Sequence, residues 1–166
     1  MTVIEHIEVG ATPVASIVFD EIPADYTDLY VVASLRNNGS GGGGFIKLNT
    51  VGASYRTLYG DGSNPASQTS DLSGVSVPSS FTANTFSNMT FYIPNYTSSN
   101  NKSVSFDGVL ENNATTSIAG ISAALVSTGS AVTTLEFYSN DGNLVQYSSA
   151  TLYGITAGSS GGVTVS

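Results

Sequence analysis

The sequence predicts an all-β protein, and three observations support this fold class. First, β-branched, aromatic and hydroxyl residues recur in short runs separated by Gly, Asn and Pro, as in strands joined by turns. Second, the 166-residue chain holds 26 Ser, 18 Thr, 13 Asn and 18 Gly, yet hydrophobic residues still reach 40%, enough to build a core. Third, no stretch shows a convincing helical period. A chain of this length is expected to fold as one domain, without disulfides because it has no cysteine.

The strands are predicted from alternating or β-rich runs that recur at roughly the 8–12-residue intervals of a sandwich or barrel. We expect about ten strands, at residues 3–9, 14–19, 29–36, 45–49, 54–59, 85–93, 103–110, 118–127, 132–138 and 144–155. The run 118–127 is the one ambiguous element, because its alanines would also suit a helix. Gly120 and the β-branched residues around it favour a strand.

Turn residues between these runs predict the connections. The clearest hairpin is predicted at 140–143 (Asn-Asp-Gly-Asn), between the runs 135–138 and 144–147. Antiparallel strands joined by such tight turns are typical of an all-β sandwich.

Two longer segments are expected to be loops. Residues 37–44 hold five glycines and no apolar side chain, which predicts a mobile tip. Residues 61–80 are rich in Ser, Asn and Pro and are predicted to cross the fold or to form a binding loop. We therefore expect a single β-sandwich domain at residues 1–155, followed by a loosely held C-terminal tail at 156–166.

Charge excludes several classes of partner. Charged residues make up only 10% of the chain, and the net charge is −8. The basic residues, too few to neutralise a run of phosphates, are Arg36, Lys47, Arg56 and Lys102. We therefore expect neither nucleic-acid binding nor attraction to an anionic membrane. No apolar run approaches the roughly 20 residues of a membrane span. The opening MTVIEHIEVG lacks a basic n-region, so we expect synthesis in the cytoplasm without a signal peptide.

Acid–base catalysis has two candidate clusters of carboxylates. The first, around the turn at Ile22-Pro23, comprises Asp20, Glu21, Asp25 and Asp28. The second is the pair Asp107 and Glu111, which would share one face of a continuous strand. The first cluster flanks a turn in which charges stay solvated, and the sequence shows no apolar pocket that would raise the pKa of either carboxyl in the second. Both clusters are therefore interpreted as solvated surface groups.

The other candidate sites are also interpreted as structural. His6, the only histidine, is expected to be a partly exposed strand residue rather than part of a catalytic triad. The segments 61–64 and 140–143 offer oxygen ligands for calcium but match no calcium loop, and turn formation explains them. The glycines at 41–44 lead into a strand and lack the Gly-Lys-Ser/Thr of a phosphate-binding loop. We therefore predict a protein with no catalytic, metal or cofactor site.

Aromatic residues are numerous enough to form either a core or a sugar-stacking surface. They include Tyr26, Tyr30, Tyr55, Tyr59, Phe91, Tyr92, Tyr96, Phe137, Tyr138, Tyr147 and Tyr153. A tyrosine presents an apolar face with a polar tip and so suits both roles. We favour the core and rim of a sandwich, with the sugar-stacking surface as the alternative.

Four segments in order resemble the small virion structural proteins of tailed phages. They are the run 26–36 after Ile22-Pro23, then Tyr-Arg-Thr-Leu-Tyr-Gly at 55–60, Phe-Tyr-Ile-Pro-Asn-Tyr at 91–96 and Ala-Thr-Leu-Tyr-Gly-Ile at 150–155. The resemblance implies a jelly-roll-like antiparallel β-sandwich of about 8–10 strands. It supplies no catalytic residues, and the glycine run at 41–44 has no counterpart in the family pattern.

The resemblance implies one of two roles on the phage particle. The first is a capsid decoration (cement) protein that binds the major capsid protein on the outside of the head. The alternative is a tail-fibre or receptor-binding module that recognises a host-surface carbohydrate. The chain starts directly at a strand and shows no collagen-like or coiled-coil repeat, which favours decoration. An orphan hydrolase is the least favoured reading.

Self-association is expected from the fold and from the resemblance together. A sandwich leaves sheet edges, and this chain has few cations to block pairing between them. Cement proteins commonly sit where three capsid subunits meet, so symmetry matching favours a homotrimer. We expect residues 37–44 to point away from the contact surface.

Overall fold

The structure, a computed structural model, describes residues 1–61, 63, 65–68 and 74–156. Over these residues the chain forms twelve β-strands and no helix, which confirms the all-β prediction. The strands are β1 (Thr2–Glu8), β2 (Ser16–Phe19), β3 (Asp28–Ser34), β4 (Gly43–Leu48), β5 (Val51–Gly60), β6 (Ala66–Gln68), β7 (Gly74–Val75), β8 (Asn88–Ile93), β9 (Lys102–Glu111), β10 (Ser117–Val126), β11 (Leu135–Ser139) and β12 (Ser149–Ile155).

The twelve strands form one antiparallel sheet that folds over into two packed layers, in line with the predicted jelly-roll-like sandwich. The first layer has the order β1-β12-β3-β8-β9-β10-β5, and the second has the order β4-β11-β2. Strand β5 joins the layers, because Val51 and Gly52 pair with β4 whereas the rest of the strand pairs with β10. The short strands β6 and β7 pair with β5 and β4.

In the first layer, side chains alternate along each strand between an inner face towards the core and an outer face. On β9 the inward positions are Lys102, Val104, Phe106, Gly108 and Leu110, and the residues between them face outwards. Strand β10 alternates in the same way over ten residues, so the ambiguous run is a strand, as predicted. Its ladder with β9 is unbroken, which fixes which side chains lie on the outer face.

The core lies between the layers and is centred on phenylalanines. Phe91 on β8 and Phe137 on β11 hold their ring centroids 5.0 Å apart, and Phe137 also meets Phe19 on β2 edge-on at 6.5 Å. All three side chains are buried. Rings from three distant parts of the chain therefore tie the first layer to the second.

The predicted hairpin at residues 140–143 is wrong. Strand β11 pairs with β4 on one side and with β2 on the other, so neither of its edges is open to residues 144–147. Leu144 instead bridges to Val14 and Asn37, and the last strand begins only at Ser149. The residues at 140–143 suit a change of chain direction, but β4 and β2 occupy both edges of β11.

The predicted mobile tip at residues 37–44 is held in place within the fold. Asn37 is fully buried, and its side-chain Nδ2 donates hydrogen bonds to the Gly41 carbonyl at 2.8 Å and to Ser76 Oγ at 2.7 Å. Gly43 and Gly44 already belong to β4. Side-chain hydrogen bonds thus replace the apolar contacts that this segment lacks.

The second predicted loop, at residues 61–80, contains the short strands β6 and β7. Residues 62, 64 and 69–73 lie outside the described residues, so its path as a crossing or a binding loop stays a prediction. The same holds for the expected loose tail, of which 157–166 lie outside the described residues.

Candidate functional site

The acidic cluster lies in the connection between β2 and β3 and on the first residue of β3. Asp20, Glu21 and Asp25 are exposed. Asp28 is half-buried, and its carboxylate accepts hydrogen bonds from the Tyr92 hydroxyl and the Asn95 backbone amide, both at 2.9 Å. The hydrogen bond to Asp28 raises the pKa of the Tyr92 hydroxyl. Asp28 therefore links the start of β3 to the end of β8. The four acidic side chains do not form a compact cluster.

The carboxylates of Asp107 and Glu111 do share the outer face of β9, as predicted. Four residues along a strand correspond to about 13 Å, beyond the roughly 5–9.5 Å that separates the paired carboxylates of glycosidases. Asp107 accepts a hydrogen bond from the Thr90 hydroxyl, and Glu111 accepts one from the Asn113 amide. Their spacing and partners fit a solvated strand face better than a catalytic pair.

His6 lies on the outer face of β1 and is exposed. Its Nδ1 is hydrogen-bonded at 2.8 Å to the hydroxyl of Thr151, its register partner on the neighbouring strand β12. The ring therefore makes a cross-strand contact. Among the described residues, no group of three or more His, Asp or Glu side chains lies close enough to hold a metal ion.

The candidate calcium turn at residues 140–143 uses its carboxylate within the protein. Asp141 Oδ2 accepts hydrogen bonds from the Gly41 amide and from Ser40 Oγ, the latter at 3.1 Å. The Gly41 amide is the main reason that the pKa of Asp141 lies below its usual value. A Cβ on Gly39 would lie 1.8 Å from the Asp141 carbonyl oxygen, so only glycine fits there. Through these contacts, residues 140–143 hold residues 39–41 in place. The other candidate turn, 61–64, lies partly outside the described residues.

All four cations donate hydrogen bonds inside the chain. Arg36 donates to the Thr82, Thr85 and Phe81 carbonyls at 2.8–3.1 Å. Lys47 forms an ion pair with Glu136 at 2.9 Å, and Arg56 donates to the Tyr55 carbonyl.

Lys102 is the buried cation. It is 1% exposed, and its Nζ donates to the carbonyls of Ser98, Asn100 and Thr128. Burial lowers the pKa of this ammonium group. The hydrogen bonds of the buried ammonium group thus stabilise the loop between β8 and β9.

The tyrosines divide between core and surface. Tyr55 and Tyr96 are buried with the phenylalanines, in agreement with the predicted core role. Tyr153, Tyr30 and Tyr92 instead lie directly opposite one another on β12, β3 and β8. These three residues, here called the tyrosine row, lie on the outer face, where Tyr92 is 37% exposed and the other two are half-buried.

One end of the first layer, where β9, β10 and β5 lie side by side, carries an exposed apolar surface. Leu58 on β5 and Ile121 on β10 are register partners, and they are 59% and 57% exposed. Around them lie the outward residues Ala119, Ala123, Leu125 and Val109, all exposed. We call these six residues the apolar patch. Two shallow depressions of about 600 Å³ each border it. Fully burying a Leu or Ile side chain stabilises a protein by about 1.5–3 kcal/mol. More than half of the side chain of Leu58 and of Ile121 remains exposed, so more than half of that stabilisation is still unrealised.

The apolar patch is not among the surfaces predicted from the sequence, although the sequence contains a signal for it. Residues 118–126 (Ile-Ala-Gly-Ile-Ser-Ala-Ala-Leu-Val) are apolar at nearly every position rather than at every second one. Such a run is typical of a strand covered on both faces.

No protein-family model, curated protein or solved structure matches the chain. In the part of the chain that the structure describes, no helix has the length and apolar character needed to cross a membrane. The register and exposure of the outward side chains give two candidate surfaces, the tyrosine row and the apolar patch, both on the outer face of the first layer.

Proposed function

We propose that the protein is a capsid decoration protein of a tailed phage, which binds the major capsid protein on the outside of the head. In this role it is made in the host cytoplasm and ends in the virion. It acts as a structural protein without catalysis, cofactor, nucleic acid or membrane. The assembled form is a homotrimer.

The observation that carries this proposal is that side-chain hydrogen bonds hold the segments between the strands in place. Asn49, between β4 and β5, accepts hydrogen bonds from the Thr133 and Thr134 amides and donates to the Ala131 carbonyl at 2.7 Å. Asp141 and Arg36 fasten two further segments. Every buried side-chain nitrogen and oxygen of the described residues has a hydrogen-bond partner. A particle coat needs such a rigid scaffold, because a contact of fixed geometry must be repeated many times.

The four segments of the phage resemblance add support. Three of them contribute to the neighbouring strands β12, β3 and β8, and the fourth lies in β5. They therefore all belong to the first layer of the sandwich, which carries both candidate surfaces.

Electron microscopy of the intact phage particle tests the proposal directly. We expect density for the protein on the outer head surface at positions of local symmetry. Adding purified protein to particles that lack it should restore that density. Particles with no such density, and no binding of the added protein, would refute the decoration role.

The proposed absence of catalysis has its own test. Purified protein is expected to leave common glycoside, ester and peptide substrates unchanged. Turnover that Asp107→Asn or Glu111→Gln abolishes would overturn this part of the proposal.

The tyrosine row supports the alternative, a tail-fibre or receptor-binding module for host-surface carbohydrate. Tyrosine rings stack on sugars, and Asp28, which accepts the Tyr92 hydroxyl hydrogen bond, adds a polar partner at the same end of the sheet. Glycan binding that Tyr92→Ala abolishes and Tyr147→Ala preserves, together with density only at the tail, would favour this role over decoration. Tyr147 is the matched control because it is exposed outside the row.

A further inference from the structure

The polarity of the two faces is inverted where β5 meets β10. On the inner face, Thr57 and Ser122 are register partners, both buried, and the Thr57 hydroxyl donates to Ser122 Oγ at 3.1 Å. On the outer face, the next pair is Leu58 and Ile121, with more than half of each side chain exposed. A sheet with one face in water ordinarily has the opposite arrangement.

The same inversion continues along β10. In the middle of the strand the inner residues Gly120, Ser122 and Ala124 are small, whereas the outer residues Ile121 and Leu125 are larger. Only near the two ends of the strand do large apolar residues, Ile118 and Val126, face inwards. The middle of β10 thus presents its larger apolar side chains outwards. We infer that further copies of this chain cover the apolar patch in the assembled protein. The patch is then the self-association surface of the homotrimer. The inference rests on the proposed function, of which self-assembly is a part.

Charge is the first reason that the occupant is a second copy. Each chain has a net charge of −8, so two copies repel unless they meet where acidic groups are scarce. The six residues of the patch are all apolar. At its flanks, Arg56 lies on β5 and Asp107 lies on β9, with β10 between them. In a cyclic assembly the β5 flank of one copy faces the β9 flank of the next, so these opposite charges come together.

The sheet edges give the second reason, because they discourage the strand pairing expected from the sequence. The edge strand β1 carries Glu5 and Glu8 and has a register shift between Val3 and Glu5. The other edge strand, β2, is only four residues long. Charges, irregular register and short length all block edge-to-edge pairing. Copies of the chain can therefore associate through the outer face of the sheet more readily than through its edges.

Sedimentation velocity over a series of protein concentrations tests the inference. The wild type is expected to shift from the 17.0 kDa chain towards three times that mass. Ile121→Asp and Leu58→Asp should each remain at the mass of one chain, with an unchanged circular dichroism spectrum. The matched control is Val3→Asp, at a position that is 56% exposed on β1, and it should assemble like the wild type.

Three results would overturn the inference. They are a wild type that is monomeric at every concentration and on the particle, patch variants that still assemble, and patch variants that lose their β spectrum. The last result would mean that Ile121 and Leu58 belong to the core.

A second probe does not depend on a disruptive substitution. The chain has no cysteine, so Ile121→Cys introduces a single thiol. Because the patch surrounds the symmetry axis, thiols of neighbouring copies should come within disulfide reach and give a cross-linked band under mild oxidation. Val3→Cys should remain uncross-linked. An assembled Ile121→Cys protein that forms no cross-link would place another surface at the axis and overturn the inference.

Binding of the wild type to phage particles is measured separately. Failure to bind would refute the decoration role, whereas the sedimentation and cross-linking results would still decide the self-association surface. Conversely, a wild type that coats particles as single chains would retain the decoration role and refute the inference.

Discussion

Phe91 on β8 and Phe137 on β11 pack with their ring centroids 5.0 Å apart, although 45 residues of chain separate them. Their contact joins the first layer of the sandwich to the second. Phe106 on β9 extends the same cluster, with its centroid 5.2 Å from that of Phe91. The three rings thus pack on the inner side of the first layer, opposite the outer face that carries both candidate surfaces.

Phe137→Ala is expected to reduce the free energy of unfolding by about 3–5 kcal/mol, because it removes a buried ring at the junction of the layers. Urea denaturation followed by circular dichroism measures the change. Tyr92→Ala is the control, since Tyr92 follows Phe91 on β8 but faces outwards. Equal losses in the two variants would contradict the assignment of faces.

Gly154→Ala is expected to destabilise the protein by about 1–3 kcal/mol through overpacking. A Cβ at this position would lie 2.3 Å from Cγ of Tyr26, whose ring covers the β12 backbone. Gly52→Ala on β5 is the control, because its Cβ would meet no atom within 4 Å. Thermal unfolding compares the two, and adding Tyr26→Ala should reduce the extra cost of Gly154→Ala if the ring is its cause.

Tyr96 is expected to make stability fall at alkaline pH. Its side chain is fully buried, burial raises its pKa above the ordinary 10.0, and its hydroxyl donates to the Pro23 carbonyl. Because the folded pKa is raised, its contribution is complete below pH 10 and is lost as the pH rises through the folded value. Tyr96→Phe should be about 1 kcal/mol less stable at pH 7 and should approach the wild type at higher pH.

Denaturant midpoints between neutral and alkaline pH measure this effect. Tyr147→Phe, at an exposed tyrosine, should follow the wild type throughout. A constant gap between Tyr96→Phe and the wild type would show that the hydroxyl of Tyr96 does not titrate differently on folding.

Asp141 is expected to contribute to stability at neutral pH but not in acid. The pKa of its carboxylate is lowered, chiefly by the Gly41 amide, so its contribution is present above the ordinary Asp value of 3.8. That contribution is lost as the pH falls through the folded pKa. Asp141→Asn should therefore be less stable than the wild type at pH 7, with a gap that closes in acid.

Thermal unfolding from neutral to acidic pH measures this gap. Asp20→Asn changes an exposed carboxylate in a turn and should show no such convergence. A gap between Asp141→Asn and the wild type that is unchanged in acid would contradict the role of the charge.

Local residue patterns were sufficient to predict the main strands. The ten predicted runs correspond to β1–β5 and β8–β12, because alternation and turn residues act over a few neighbouring positions. The hairpin at 140–143 failed for the opposite reason. Its turn residues are suitable, but β4 and β2 occupy both sides of β11, and no local pattern records that competition.

The all-β class, the run of strands, the acidic charge and the absence of cysteine all follow from the amino-acid sequence alone, since they are properties of composition and short-range order. Which face of each strand meets water depends instead on the tertiary structure. Thr57 and Ser122 face inwards while Leu58 and Ile121 face outwards because one register between β5 and β10 sets every side chain at once. The candidate surfaces follow from that register: long-range pairing brings Tyr153 beside Tyr30 and Leu58 beside Ile121 across strands that are distant in the chain.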